Sequence, residues 1–195
     1  EVVGRPTPGA TGFQPAATEL ARDLQGLDHM LLIIIGVITV FVTGLLIWCV
    51  IRFNTRTNKT PATFTHNSPL EIAWTIVPIL ILVFIGAFSL PVLFKQQEIP
   101  EAELTIKATG NQWYWSYEYV DDEISFDSFM IGIDSKVRTP EIEAELTEAG
   151  YAPSDFLLAT DTAVIVPVDT VVVMQVTAAD VIHSVWIPSF AGKMD

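Results

Sequence analysis

The sequence predicts a two-helix transmembrane hairpin followed by an all-β outer domain. Three observations carry that prediction: two long uncharged apolar runs, a change to short alternating runs beyond Pro100, and a concentration of acid in the second half of the chain.

Half of the 195 residues are hydrophobic and the mean hydropathy is +0.44, high for a domain that lives in water. Residues 30–51 form 22 positions without a charge, and residues 72–94 another 23. At about 1.5 Å per residue, a helix of the shorter run reaches roughly 33 Å, enough for a hydrocarbon core of about 30 Å. A pair of buried helices in a soluble protein rarely stays uncharged for so long. A signal peptide fits worse, because Glu1 to Leu27 is a polar, Pro- and Gly-containing lead that reads as the start of a processed chain. The expected organisation is an extramembrane segment 1–29, a hairpin 30–94 with spans at about 30–51 and 72–94, and an outer domain 95–195.

Charge orients the hairpin. Arg52, Arg56 and Lys59 stand between the spans against one acid, Glu71, so this loop belongs on the cytoplasmic or matrix side and both termini face outward. From Lys95 onward there are 18 acids and five bases, which accounts for the whole net charge of −13. A domain so charged repels nucleic acid and anionic surfaces and attracts a basic protein, although acids that only maintain solubility would look the same. The single cysteine, Cys49, lies in the first span, where a small apolar residue needs no functional explanation.

Local signals mark the elements. Gly36, Val40 and Gly44 share one face of the first span, a weak packing signal. Ahead of the second, Ser68 can cap the helix, Pro69 suits its first position and Glu71 falls where a capping-box carboxylate would reach back. Pro78 and Pro91 are expected to kink or end that span. In the outer domain the expected strands are 104–108, 112–119, 156–159, 163–166, 171–177 and 181–187. An acidic excursion interrupts them, and within it Thr139, Pro140 and the run to Ala149, closed by Gly150, predict a short capped helix.

Four features bear on chemistry. Gln112, Trp113, Tyr114, Trp115, Ser116, Tyr117, Glu118, Tyr119 is an aromatic run. Strand alternation places Trp113, Trp115, Tyr117 and Tyr119 on one face, and core packing or an interfacial belt explains it as well as redox does. Ala179, Asp180, Val181, Ile182, His183, Ser184, Val185, Trp186, Ile187, Pro188 holds one histidine, a residue that in a β-run is more often a hydrogen-bonded core group than a metal ligand. Gly192, Lys193, Met194 and Asp195 follow, and Phe64 to Glu71 leads into Trp74 and Pro78.

In this order and spacing the chain resembles subunit II of haem-copper cytochrome c oxidases, of the bacterial and mitochondrial type, from the loop before the second span to the last residue. The resemblance implies that the outer domain is a cupredoxin-like Greek-key barrel, here incomplete at its C-terminal end. It implies a dinuclear copper centre that accepts electrons from cytochrome c and passes them to the haem-containing catalytic subunit. It assigns His183 as a copper ligand and Trp113 as the residue through which electrons arrive. Glu118, Asp127 and Asp180 match carboxylates that dock cytochrome c, and Glu71 one at the entrance of a proton path.

The resemblance further implies subunits I and III as partners, with haems and a second copper in the catalytic subunit. It places the chain in a bacterial or mitochondrial inner membrane with the outer domain on the periplasmic or intermembrane-space side. The family's cysteine-rich ligand loop has no counterpart in the sequence. A partial chain, a split subunit completed by a second chain, and a copper-free relative are the three expectations that follow. A copper-free quinol oxidase subunit II and a non-redox membrane-anchored β scaffold are the functional alternatives.

Overall fold

The first helix begins where a polar side chain can satisfy its free backbone groups. In the computed structural model α1 runs Glu19–Arg52, well ahead of Met30, because Thr18 caps it by accepting from the Ala21 N–H at 3.1 Å. Its far end is closed by Asn54, whose side-chain amide donates to the carbonyls of Val50 and Ile51. The structure describes residues 3–5, 7–135 and 137–195. Glu1, Val2, Pro6 and Lys136 lie outside the described residues, so the polar lead is seen from Val3 onward.

Helix α2 runs Ser68–Gln97. Its cap is Asn67, which accepts from the Leu70 N–H at 3.2 Å, so the expected cap, Ser68, is instead the first helical residue. Glu71 therefore sits one position beyond the capping-box site, while remaining in the first turn of the helix. The helix continues through Pro78 and Pro91 rather than ending at either. Lys95 reaches Asp23 at 2.6 Å and Glu19 at 3.0 Å, an exposed ion-pair group that sets the end of α2 beside the start of α1. Both helices are long, apolar and without a buried side, as expected of segments that meet lipid or another membrane chain. A side chain at Gly36 or Gly44 would meet nothing within 4 Å, so the small-residue face of α1 is not packed on α2.

The chain divides into two units, Glu1–Glu98 with Pro188–Ala191, and Ile99–Ile187 with Gly192–Asp195, here called the β unit. In the latter, β1 (Leu104–Asn111), β2 (Tyr114–Tyr119), β3 (Ile124–Phe129) and β4 (Val172–Ala178) form one sheet in the order β3-β2-β1-β4. That is the spatial order of a Greek key, but β4 lies parallel to β1 instead of antiparallel. The sheet is open, and β5 (Val185–Ile187) and β6 (Gly192–Met194) form a separate hairpin.

Two expected strands are absent. Residues 156–159 follow a 3-10 turn at Pro153–Asp155, and 163–166 are irregular, joined to the sheet where Tyr119 exchanges hydrogen bonds with the Ile165 backbone. The expected strand 181–187 shortens to β5, because Asp180 turns the chain by accepting from the Val181 N–H. β3 was hidden in the acidic excursion. Its alternate residues pair with β2, which puts Phe126 against Tyr117 and Tyr119.

The excursion proper leaves at Met130 and returns at Thr160, where the two residues bridge. It carries α3 (Pro140–Glu148), capped by Thr139 and closed by a Schellman turn. There Tyr151 N–H donates to Leu146 and Gly150 N–H to Thr147, with Gly150 at φ +83°. Leu146 is fully buried with Ile131 and Ala159, and Ile142, Tyr151 and Phe156 pack around them.

Candidate functional site

The register of the sheet sorts its side chains onto two unlike faces. Directly paired residues point the same way, so Ile106, Ala108 and Gly110 share a face with Trp115, Tyr117 and Tyr119, with Phe126, and with Met174 and Val176. This is the apolar face, and burial pushes the Tyr117 hydroxyl pKa up. The other face carries Lys107, Asn111, Ser116, Glu118 and Asp127.

His183 lies against the apolar face at Gly110. A Cβ added to Gly110 would fall 2.5 Å from the His183 Cβ and 2.6 Å from its Cγ, so the imidazole occupies space that only glycine leaves free. Trp115, the partner of Gly110 across the ladder, meets the His183 ring edge-on, with centroids 5.8 Å apart. The histidine is also hydrogen-bonded, its Nε2 lying 2.9 Å from Asp180 Oδ1. The same carboxylate accepts from Val181 N–H at 2.6 Å and, through Oδ2, from Gln112 N–H at 2.8 Å. These contacts, led by the one to His183, hold the Asp180 carboxyl below the usual carboxylate range.

Trp113 sits in the turn between β1 and β2, not on the strand as alternation suggests, and its indole is 73% exposed. The turn takes it off the aromatic face and presents it at the end of the sheet where Asp180 and His183 lie. Glu118 and Asp127 are elsewhere, on the polar face. Glu118 is 3.7 Å from Lys107, and Asp127 accepts from Ser116 Oγ at 2.6 Å, which in turn accepts from Asn111 Nδ2. The structure therefore brings Trp113, Asp180 and His183 together and leaves Glu118 and Asp127 on the opposite side of one sheet layer. Glu71, in α2, belongs to the other unit.

Gly110 was missed by sequence reasoning, and Gln112 and Trp115 were noted only as part of the aromatic run, without a contact to His183 or Asp180. A glycine inside a strand pattern was the one available signal, since it marks close approach by another group. Gly110→Ala is expected to destabilise the β unit by about 1–3 kcal/mol, because the histidine or the strand must shift to admit the methyl. Denaturant unfolding of the full chain, followed by the fluorescence of its tryptophans, measures this. An unchanged midpoint would mean that the imidazole does not rest on the strand.

Two apolar membrane-length helices and an acidic β unit, with one imidazole seated against a half-buried tryptophan near an exposed turn tryptophan, define a membrane-anchored protein with a separate acidic β unit. A family model described as "Cytochrome C oxidase subunit II, transmembrane domain" matches residues 6–92, and one described as "Cytochrome C oxidase subunit II, periplasmic domain" matches residues 104–195. The chain belongs to the cytochrome c oxidase subunit II family.

Cytochrome c oxidase subunit 2 of Cereibacter sphaeroides is 61% identical over 200 residues, covering 100% of this chain and 66% of that one. The probable cytochrome c oxidase subunit 2 of Rickettsia bellii is 41% identical over 191 residues, covering 97% and 66%. The chain thus spans about two thirds of the length of these relatives. Among solved structures, the periplasmic domain of subunit II of cytochrome oxidase (CoxB) of Bradyrhizobium japonicum is 42% identical, with TM-score 0.37, covering 50% of this chain and 57% of that one.

Membership means a membrane protein with a cupredoxin-like periplasmic domain, and the family implies a copper centre in the subunit. The residues present do not make up such a centre by themselves. Among the described residues no group of three or more His, Cys, Asp or Glu side chains could hold a metal, and Cys49 is exposed on α1. The β unit offers one imidazole and no thiolate, whereas bridging two coppers calls for soft thiolate donors. Nothing in the comparisons favours the quinol oxidase or scaffold alternatives.

Proposed function

We propose that this chain is the electron-receiving subunit of a respiratory cytochrome c oxidase, held in the bacterial inner membrane with its β unit facing the periplasm. The observation that carries the reading is that one carboxylate, Asp180, accepts both from the amide preceding exposed Trp113 and from half-buried His183 at one end of the sheet. Trp113 is the point at which electrons arrive, and His183 is one ligand of a dinuclear copper centre whose other ligands come from polypeptide beyond these residues. The haems and the second copper belong to the catalytic subunit I, with subunit III as a further partner. Glu71, in the first turn of α2, stands at the entrance of a proton path.

The donor is a basic cytochrome c, drawn by the acid excess of the β unit. Glu118 and Asp127 supply its docking charges, and the side chain of Glu118 is half exposed. Replacing both by their amides in the assembled oxidase is expected to weaken cytochrome c binding by about tenfold, at up to about 1 kcal/mol for each exposed charge pair, and to flatten the dependence of binding on salt. Binding measured across ionic strengths decides the matter. A steep slope that survives both substitutions would place the dock on other acids.

A further inference from the structure

The two ends of the helical hairpin treat their cations differently. At the outer end Lys95 lies 2.6 Å from Asp23 and 3.0 Å from Glu19, so its charge is matched within the chain. At the opposite end Arg52, Arg56 and Lys59 follow one another closely, and no acid occurs from Arg52 to Leu70. Among the described residues none of these three cations has a carboxylate partner, and all three are exposed. Uncompensated positive charge is thus gathered where a membrane-length helix ends.

Local structure holds the charge there. Asn54 donates to the carbonyls of Val50 and Ile51 and accepts from the N–H groups of Arg56 and Thr57, both at 3.0 Å, while the Asn58 N–H returns to the Asn54 carbonyl at 2.9 Å. The backbone therefore turns directly after α1 and keeps Arg56 beside the helix end. The Arg52 guanidinium lies 6.0 Å from the centre of the exposed Phe53 ring, and Trp48, one turn earlier on the same helix face, is exposed as well. Aromatic rings at the end of a membrane helix belong to the headgroup layer.

From this arrangement we infer that the turn at residues 52–59 is a binding surface for anionic phospholipid headgroups of the cytoplasmic leaflet. The lipid phosphate supplies the anion that the chain itself does not offer these cations, and the rings of Trp48 and Phe53 meet the apolar part of the same molecule. Arg52 and Arg56 suit a phosphate well, since a guanidinium presents two parallel donors to two of its oxygens. A free phosphate has no counterpart for the rings, so a lipid is the occupant. Each Lys or Arg held near an anionic leaflet strengthens such binding roughly fivefold. The surface lies wholly within the anchor unit, and it calls for neither copper nor an electron donor.

The test uses the full chain in phosphatidylcholine vesicles that contain a minor fraction of phosphatidylglycerol with brominated acyl chains. Bromine quenches nearby indoles, and only Trp48 and Trp74 among the tryptophans lie in α1 and α2. Quenching should show phosphatidylglycerol enriched beside them at least about fivefold over brominated phosphatidylcholine, and the preference should fall below about twofold when Arg52, Arg56 and Lys59 are all replaced by Gln. Arg52→Lys with Arg56→Lys should keep most of it, and Lys95→Gln all of it, because Lys95 belongs to the other end of the hairpin. Added salt should weaken the native preference. Equal preference in the native and Gln-substituted chains would overturn the inference, and so would loss of the lipid to inorganic phosphate, which would make the occupant a soluble anion. In the assembled oxidase the three Gln substitutions should lower the phosphatidylglycerol that accompanies the purified complex. An unchanged lipid content there would mean that a neighbouring subunit covers the turn, and would overturn it equally.

Discussion

Trp113→Gln is expected to slow electron delivery from bound cytochrome c by about a hundredfold, equivalent to about 2.7 kcal/mol of barrier, while the dissociation constant moves by less than about threefold. The argument starts from exposure. At 73% exposed on a turn, the indole contributes little to the packing of the β unit, so its loss should cost stability no more than an ordinary surface change of about 0.5 kcal/mol. Nor, on the proposed reading, is it the main source of affinity, which is assigned to Glu118 and Asp127 on the polar face of the sheet. What glutamine removes is the aromatic ring at the end where Trp115 and His183 meet. Stopped-flow oxidation of reduced cytochrome c by the assembled oxidase, set beside equilibrium binding, separates the two effects. A normal transfer rate would take Trp113 off the route. A loss of affinity of about 2 kcal/mol or more would instead make it a binding anchor.

The second large effect is expected at Leu146→Ala, at about 2–5 kcal/mol. Leu146 is completely buried in a cluster with Ile131 and Ala159, with Ile142, Tyr151 and Phe156 packed around it, so its removal leaves a space inside the centre of the excursion. The two ends of the excursion are tied to each other, through the Met130–Thr160 bridge and the Ile131 N–H bond to Ala159, and it carries a buried cluster of its own. A cavity there should open the excursion locally. Amides of residues 131–159 should lose most of their protection from exchange while those of β1 and β2 retain theirs. Protection lost to the same extent in both regions would show that the excursion and the sheet unfold as one unit.

Much of this fold was legible before any coordinates. Uncharged runs of more than 20 residues announce membrane helices whatever their surroundings, because lipid imposes the same demand on every position. The α3 signals were equally direct, since Thr139 and Gly150 act within one turn of the helix they bound. Strands were harder. β1 and β4 appeared nearly where expected, but 156–159 and 163–166 have strand-like composition without a ladder to join, and β3 has a ladder without strand-like composition. Strand identity depends on a partner supplied from elsewhere in the chain, and Ile124 to Phe129 became a strand because β2 was there to pair with it.

Residue types and their order along the chain were enough to reveal the membrane hairpin and the acidic outer unit, and the family resemblance they carry added the candidates Trp113, Glu118, Asp127, Asp180 and His183. Only the tertiary structure decided which of them stand together. The parallel return of β4 beside β1 carries Asp180 and His183 to the Trp113 turn, and the two-residue period of β2 and β3 sends Glu118 and Asp127 to the opposite face. The gap at Gly110 that seats the imidazole exists only once residues 73 positions apart in the chain have met. Short-range chemistry can be read along a chain, whereas a site built from long-range pairing exists only after the sheet has closed those distances.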